Sequence, residues 1–248
     1  MKISVILPTY NEKDSIVLLL QEIHTILTRE NTDFEIVVVD DNSPDGTYQE
    51  IIKAFPCCPE IKPVLRTREK GLASAIHHGI RNSDGDKLVI MDTDFNHPPD
   101  LIPLLIKITN YFDIASCSRY VIGGGMETSR LRYLGSKLFN KFVHYTLQVK
   151  TTDNLSGYFA FNRNILDGID LSGIFYGYGD YFIRFLYVMQ KKGRFILEVP
   201  VVYKDRKGGL SKTNLKNELI RYTRSVLCIR FGSLKRLVRD DSFQRNTG

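Results

Sequence analysis

Lys87-Leu88-Val89-Ile90-Met91-Asp92-Thr93-Asp94 is a short apolar run that ends on two acids. Gly85 and Asp86 supply a turn before it, and a continuous apolar run bounded by turn residues reads as a buried strand. Side chains alternate along a strand, so Asp92 and Asp94 are predicted to point to one side at its open end. Neighbouring carboxylates repel each other, and a hard divalent cation relieves that repulsion. Mg2+ or Mn2+ held by one or two carboxylates usually takes phosphate oxygens as well. The competing reading is a pair of solvated turn aspartates, and D-x-D alone does not separate the two.

Outward from this strand the chain alternates strand and helix. Ile3-Ser4-Val5-Ile6-Leu7 reads as a first strand stopped by Pro8, with Asn11 as cap of a helix whose apolar stripe is Ile16, Leu19, Leu20, Ile23, Ile26 and Leu27. Residues 34–39 form a second strand ending in Asp40-Asp41-Asn42-Ser43-Pro44-Asp45-Gly46-Thr47, and a third lies near Val64-Leu65-Arg66. Helices are predicted over 72–82 and 99–110, and a fifth strand over 114–117. This order, with nearly continuous apolar strands, predicts an α/β fold with a doubly wound, mostly parallel sheet. Ligands of such sheets bind beyond the carboxyl ends of the strands. The polar clusters 8–12, 40–47 and 92–96 all fall at those ends, which solvated loops scattered at random would not do.

The 248 residues suffice for one large domain, and 43% apolar with 25% charged residues is ordinary for a globular protein. A net charge of +6 favours anionic partners. Met1-Lys2 leads straight into a strand, and no apolar run reaches the roughly 18–20 residues of a spanning helix. The expectation is a cytoplasmic protein peripherally associated with the membrane. Cys57, Cys58, Cys117 and Cys228 read as reduced thiols, the adjacent pair lacking metal-ligand spacing. Residues 148–157 read as an irregular connection, and 239–248 as a frayed tail.

Taken together, several stretches resemble the family 2 inverting glycosyltransferases of GT-A fold, and among them the dolichol-phosphate or polyprenol-phosphate mannose synthases. These are Pro8-Thr9-Tyr10-Asn11-Glu12, Val38 to Thr47, Lys70-Gly71-Leu72, Asp92 to Pro99, Ser118-Arg119-Tyr120, Asp153, Ser156 to Ala160, Glu198-Val199-Pro200 and Arg206 to Lys212. The resemblance covers residues 1–213, a catalytic domain, and leaves 214–248 as a basic amphipathic helix and tail. It implies that Pro8, Tyr10, Glu12, Val38 and Asp40 hold the base and ribose of a nucleotide sugar, with Asp41 bracing the Ser43 turn. It implies that Asp92, Thr93 and Asp94 meet the diphosphate, with Asp92, Asp94 and Asn96 holding Mg2+ or Mn2+, and that Lys212 reaches the donor. Lys70 is a further candidate to neutralise the diphosphate. Arg119, Arg132, Ser136 and Arg206 are the implied contacts to the acceptor phosphate, Arg130 competing with Arg132. Asp92, Asp94 and Arg119 are the implied catalytic residues. One departure stands out: Asp180 and Arg184 occupy positions where these synthases carry Lys and Glu. Either Arg184 reaches the donor phosphates in place of that Lys, or the two form an ordinary surface pair.

The implied reaction moves a hexose, mannose from GDP-mannose above others, onto a polyprenyl (dolichyl) phosphate. Alternatives are a UDP-sugar donor, or a sugar-nucleotide-binding protein without turnover. A dinucleotide enzyme would need G-x-G-x-x-G after the first strand, and no nucleic-acid signature is present. The helix 129–147 and the stretch 215–237 interleave apolar and basic residues, the pattern of helices lying on a membrane surface. The chain would rely on these helices, or on a membrane-anchoring partner.

Overall fold

A computed structural model of the chain describes residues 1–127, 130–203 and 215–232. Arg206, Lys212 and the tail 233–248 lie outside the described residues. The centre is a seven-stranded sheet in the order β3-β2-β1-β4-β7-β5-β8. Its strands are β1 (Lys2–Thr9), β2 (Asp33–Asp40), β3 (Ile61–Leu65), β4 (Lys87–Ile90), β5 (Ile114–Ser118), β7 (Phe159–Asn162) and β8 (Ile196–Pro200). Only β7 runs antiparallel to its neighbours. A second, two-stranded sheet joins β6 (Gly125–Met126) to β9 (Val202–Tyr203).

Helices cover both faces. The core of one face joins Val5, Leu7, Val38 and Met91 to α1 (Lys13–Arg29), α2 (Thr47–Ala54) and α4 (Ile102–Ile108). The other joins Ile6, Leu88 and Ile90 to α3 (Leu72–Arg81), α5 (Arg130–Leu147), α6 (Tyr181–Lys191) and α7 (Leu215–Phe231). Alternate residues of β1 feed opposite cores, as the twofold repeat of a strand requires. The doubly wound, mostly parallel expectation is met, with β7 inserted.

The ends of several elements differ from the sequence reading. Pro8 does not stop β1, which continues through it to Thr9. Ile6 accepts from Met91 N, and Thr9 accepts from Asp41 N, so even-numbered residues of β1 face β4 and odd-numbered ones face β2. Pro8 therefore faces the β4 side beyond the end of β4, and its missing N–H costs no ladder bond. Pro63 and Pro200 sit on β3 and β8, the two edge strands, where proline is tolerated. Asn11 does not cap α1. It precedes the cap in a left-handed conformation (φ 58°), and Glu12 takes the cap position. The first amides of α1 are instead served by the next loop: Glu12 N donates to Thr47 Oγ1 (3.1 Å) and Lys13 N to an Asp45 carboxylate oxygen (3.1 Å).

Asp180 and Arg184 are not a surface pair, nor is Arg184 placed to reach a ligand. Arg184 is fully buried at the start of α6. It pairs with Asp180, donates to the Ile174 carbonyl (2.9 Å), the Tyr176 carbonyl and Ser225 Oγ of α7 (2.9 Å), and stacks on the Tyr176 ring. The pair ties α7 and the 174–178 loop to α6. Removing one partner strands a buried charge, so Arg184→Met should lower the unfolding free energy in urea by about 3 kcal/mol.

Candidate functional site

The chain winds outward from β1 to β3, then returns through α3 to β4 on the far side of β1. The crevice of a doubly wound sheet opens at this switch point, between the segments that follow β1 and β4. Three loops converge beside it. Asp40, fully buried, accepts from Ser43 N (2.9 Å) and Ser43 Oγ (2.5 Å), and Ser43 Oγ accepts from Asn11 N (2.9 Å). Asp41 accepts from Arg66 Nε (2.7 Å) and Gly71 N (2.7 Å), which draws the loop carrying Lys70 toward β2. The brace of the Ser43 turn is thus Asp40, not Asp41. Val38 is buried, and its side chain packs in the α1-side core. Tyr10 is exposed at the mouth, with Lys70 Nζ 5.0 Å from its ring centre. Asn11 Oδ1 is buried beside it and meets no donor among the described residues. Pro8 is buried, and Glu12, half-buried, accepts from Ser15 Oγ (2.9 Å).

The acids lie beyond the strand and not on it. β4 ends at Ile90, so strand alternation does not orient them; a turn does. Asn96 donates to both oxygens of Asp94, from its backbone N (3.1 Å) and from Nδ2 (2.9 Å). Phe95, between them, has φ 60°, a left-handed conformation that is an outlier for a bulky residue. Such backbone persists where its surroundings over-determine it, commonly at ligand sites. Thr93 is buried within the turn.

His97 fixes the turn from beneath. Asp92 N donates to its Nδ1 (2.8 Å), so the proton of the neutral ring sits on Nε2. Nε2 lies 2.8 Å from Tyr203 Oη, which donates to the Ser156 carbonyl (2.8 Å). The imidazole stacks on Tyr158 (4.9 Å, 14°). Burial pushes its pKa down to about 4, against the opposing pull of the Asp94 carboxylate. Ser156 and Tyr158 belong to the run leading into β7, and Tyr203 to β9; the sequence reading gave neither strand.

Tyr203 also underlies Arg119, whose guanidinium carbon is 4.9 Å from its ring centre and 5.3 Å from that of Tyr120. Arg119, buried at the end of β5, grips the buried Asp153 through Nε (2.7 Å) and Nη2 (2.7 Å). Burial alone would lower its pKa, but Asp153 more than offsets that, and it stays charged. Glu198 holds Thr152 N and Asp153 N at 2.7 and 3.0 Å, which aims Asp153 at the arginine. The Tyr120 hydroxyl donates to Ser136 Oγ (2.7 Å) on α5, and Arg132 is exposed one turn earlier on that helix. Asp92, Asp94, Asn96, Arg119 and Ser136 are therefore joined through His97, Tyr203 and Tyr120. Local sequence pattern assigns no role to these three, nor to the Asp153 pairing, because their partners are distant in sequence.

A hard divalent cation fits the turn chemically. Asp92 and Asp94 offer carboxylate oxygens, and Asn96 keeps its carbonyl oxygen as acceptor while Nδ2 serves Asp94. His97 Nε2 lies 3.8 Å from an Asp92 carboxylate oxygen, but among the described residues no trio of His, Cys, Asp or Glu gathers its ligand atoms at this turn. A cation held there would complete its shell with Asn96, water or ligand phosphate, the usual habit of Mg2+.

Replacing His97 by Phe keeps the stack but removes the acceptor of Asp92 N and one of the partners of Tyr203 Oη, which keeps Ser156, an expected loss of about 1–3 kcal/mol in urea unfolding. In the native chain the unfolded imidazole takes up a proton that the folded one refuses. Stability should therefore fall as pH drops from about 6.5 towards 4, and His97→Phe should show a shallower dependence across that window.

Residues 4–169 match glycosyl transferase family 2. A dolichol-phosphate mannosyltransferase from Pyrococcus furiosus is 36% identical over 236 residues, covering 91% of this chain and 63% of its own length. A polyprenol monophosphomannose synthase from Mycolicibacterium smegmatis is 33% identical over 222 residues, 86% of this chain and 81% of its own. Among solved structures, glucosyl-3-phosphoglycerate synthase from Mycobacterium tuberculosis, in complex with Mn2+, UDP and phosphoglyceric acid, has a TM-score of 0.68 at 20% identity, over 92% of this chain and 76% of that one. The same protein with Mg2+ and UDP gives 0.70 at 18% identity, over 94% of this chain and 80% of that one. The extent of the family match and the likeness of the two curated relatives make this chain a member of glycosyl transferase family 2, built on the GT-A fold.

Proposed function

We propose that the chain transfers mannose from GDP-mannose to a polyprenyl phosphate, with inversion, at a membrane surface. The observation that carries the reading is the joining of an acidic turn to a buried arginine through one tyrosine: Asp92 to His97, His97 to Tyr203, and Tyr203 to Arg119. A donor diphosphate needs a cation, an acceptor phosphate needs an arginine, and the two must meet. The names of the two curated relatives support the lipid phosphate and the mannosyl group.

A phosphate monoester has a second pKa of about 6, so the acceptor is mostly a dianion at neutral pH and needs no general base. One of its oxygens forms a bond to the anomeric carbon as the bond to the nucleoside diphosphate breaks. Asp92, Asp94 and Asn96 hold the divalent cation, which, when bound, stabilises the charge growing on the diphosphate. Arg119, held rigid by Asp153, and Ser136 and Arg132 on α5 orient the nucleophile. Tyr10 and Lys70 line the mouth. Arg206 and Lys212 are proposed to close on the phosphates, residues 1–213 forming the catalytic domain and 214–248 its basic extension.

The membrane surface is read from α5 and α7, which pack together. They expose Leu131, Leu134 and Leu138, and Leu219, Ile220 and Phe231, beside Arg130, Arg221 and Arg224. No helix among the described residues is long and apolar enough to cross a membrane.

Purified chain incubated with polyprenyl phosphate and radiolabelled sugar nucleotides should move label into the organic phase from GDP-mannose and not from UDP-glucose. EDTA should abolish transfer, and Mn2+ or Mg2+ restore it. Asp94→Ala and Arg119→Ala should each cut the rate by about 100-fold or more; a rate near wild type in either removes that residue's role. Replacing Leu134, Leu138 and Phe231 together by Glu should weaken sedimentation with phosphatidylserine vesicles while leaving GDP-mannose binding unchanged.

A further inference from the structure

We propose that His24, Cys58 and Glu60 form a second metal site, for a borderline-soft divalent cation of the zinc class. Their ligand atoms all lie within 4.8 Å of one another. Cys58 Sγ is 3.2 Å and His24 Nε2 3.9 Å from the same Glu60 carboxylate oxygen. Zinc bonds of about 2.0–2.3 Å to nitrogen, oxygen and sulfur, at tetrahedral angles, set ligand atoms roughly 3.3–3.6 Å apart. Side-chain movements of up to about an ångström would meet that geometry.

The supports are largely fixed. Glu60 is tied into the sheet by Ile36 N, which donates to its carbonyl (2.7 Å), and the Cys58 carbonyl accepts from Ile61 N (3.1 Å). The His24 ring meets Phe34 edge to face (5.4 Å, 74°). The three residues are each partly exposed, so an ion can enter. One sulfur, one nitrogen and one oxygen form a set that hard Mg2+ does not favour and zinc does. A thiolate and a carboxylate with a neutral imidazole carry two negative charges, which the cation cancels. Burial and the adjacent carboxylate raise the free Cys58 thiol above its ordinary pKa. Binding therefore releases its proton to solvent and weakens with acidity.

The adjacent cysteines have no metal-ligand spacing of their own; the fold adds a histidine from α1. The site lies where β3 begins and the acidic turn lies where β4 ends, at opposite ends of parallel strands and three strands apart in the sheet. An ion here would staple α1 to the α2–β3 loop.

Titrating the purified chain with Co2+ alone tests this. One equivalent should develop a thiolate-to-cobalt charge-transfer band with the visible spectrum of tetrahedral cobalt, and Zn2+ should bleach both. Cys58→Ser should abolish the band, and His24→Gln and Glu60→Gln should weaken binding roughly tenfold or more. The band should persist in the double variant Asp92→Asn, Asp94→Asn, which separates this site from the acidic turn. Zn2+ should raise the thermal midpoint of the native chain but not of Cys58→Ser. Absence of the band in the native chain, its survival in Cys58→Ser, or native affinity in the His24 and Glu60 variants would overturn the proposal.

Discussion

A buried imidazole that must stay neutral organises the site. His97 can accept the Asp92 amide at Nδ1 only if its single proton sits on Nε2, and that nitrogen meets Tyr203, which in turn carries Arg119 on its ring face. Burial enforces the neutrality, since a charged ring in this position would lack hydration. One side chain thereby sets the position of the acidic turn relative to the arginine.

Three aspartate–arginine pairs hold the frame around it. Asp41 with Arg66 draws the β3–α3 loop toward β2, Asp153 with Arg119 ties the 152–154 segment to the end of β5, and Asp180 with Arg184 fastens α7 to α6. Buried ion pairs contribute little net stability compared with apolar packing of the same volume. Here each one joins segments that the sheet alone would leave free to move, and arginine can do so because its planar fork serves several acceptors at once. The antiparallel β7 matters for the same reason. By inserting between β4 and β5 it brings Ser156 and Tyr158 under the acidic turn.

Much of this could be read from the sequence. The apolar runs at 3–7, 34–39 and 87–91 and the stripe on α1 gave the parallel half of the sheet, because period and composition are local properties. The placement of 8–12, 40–47 and 92–96 at one edge followed from that order. What local pattern could not give were partnerships across the fold. Phe159-Ala160-Phe161-Asn162 is too short and too apolar to announce an antiparallel strand. Asp180 and Arg184 show helical spacing but no sign of burial. That Asp40 and not Asp41 braces the Ser43 turn depends on which of two adjacent carboxylates faces Ser43. Proline misled where it commonly stops a strand, since the cost of Pro8 depends on a neighbour that has already ended.

Family membership brings a fold and a reaction class, while the joined acidic turn and arginine bring the reading of what meets there. The central claim is that Asp92 and Asp94 hold a cation against the diphosphate of the donor. Anomalous diffraction from crystals grown with GDP and Mn2+ tests it most directly. The expected result is a manganese peak within bonding distance of both carboxylates and of the diphosphate oxygens; GDP bound with those two acids bare of metal would contradict it.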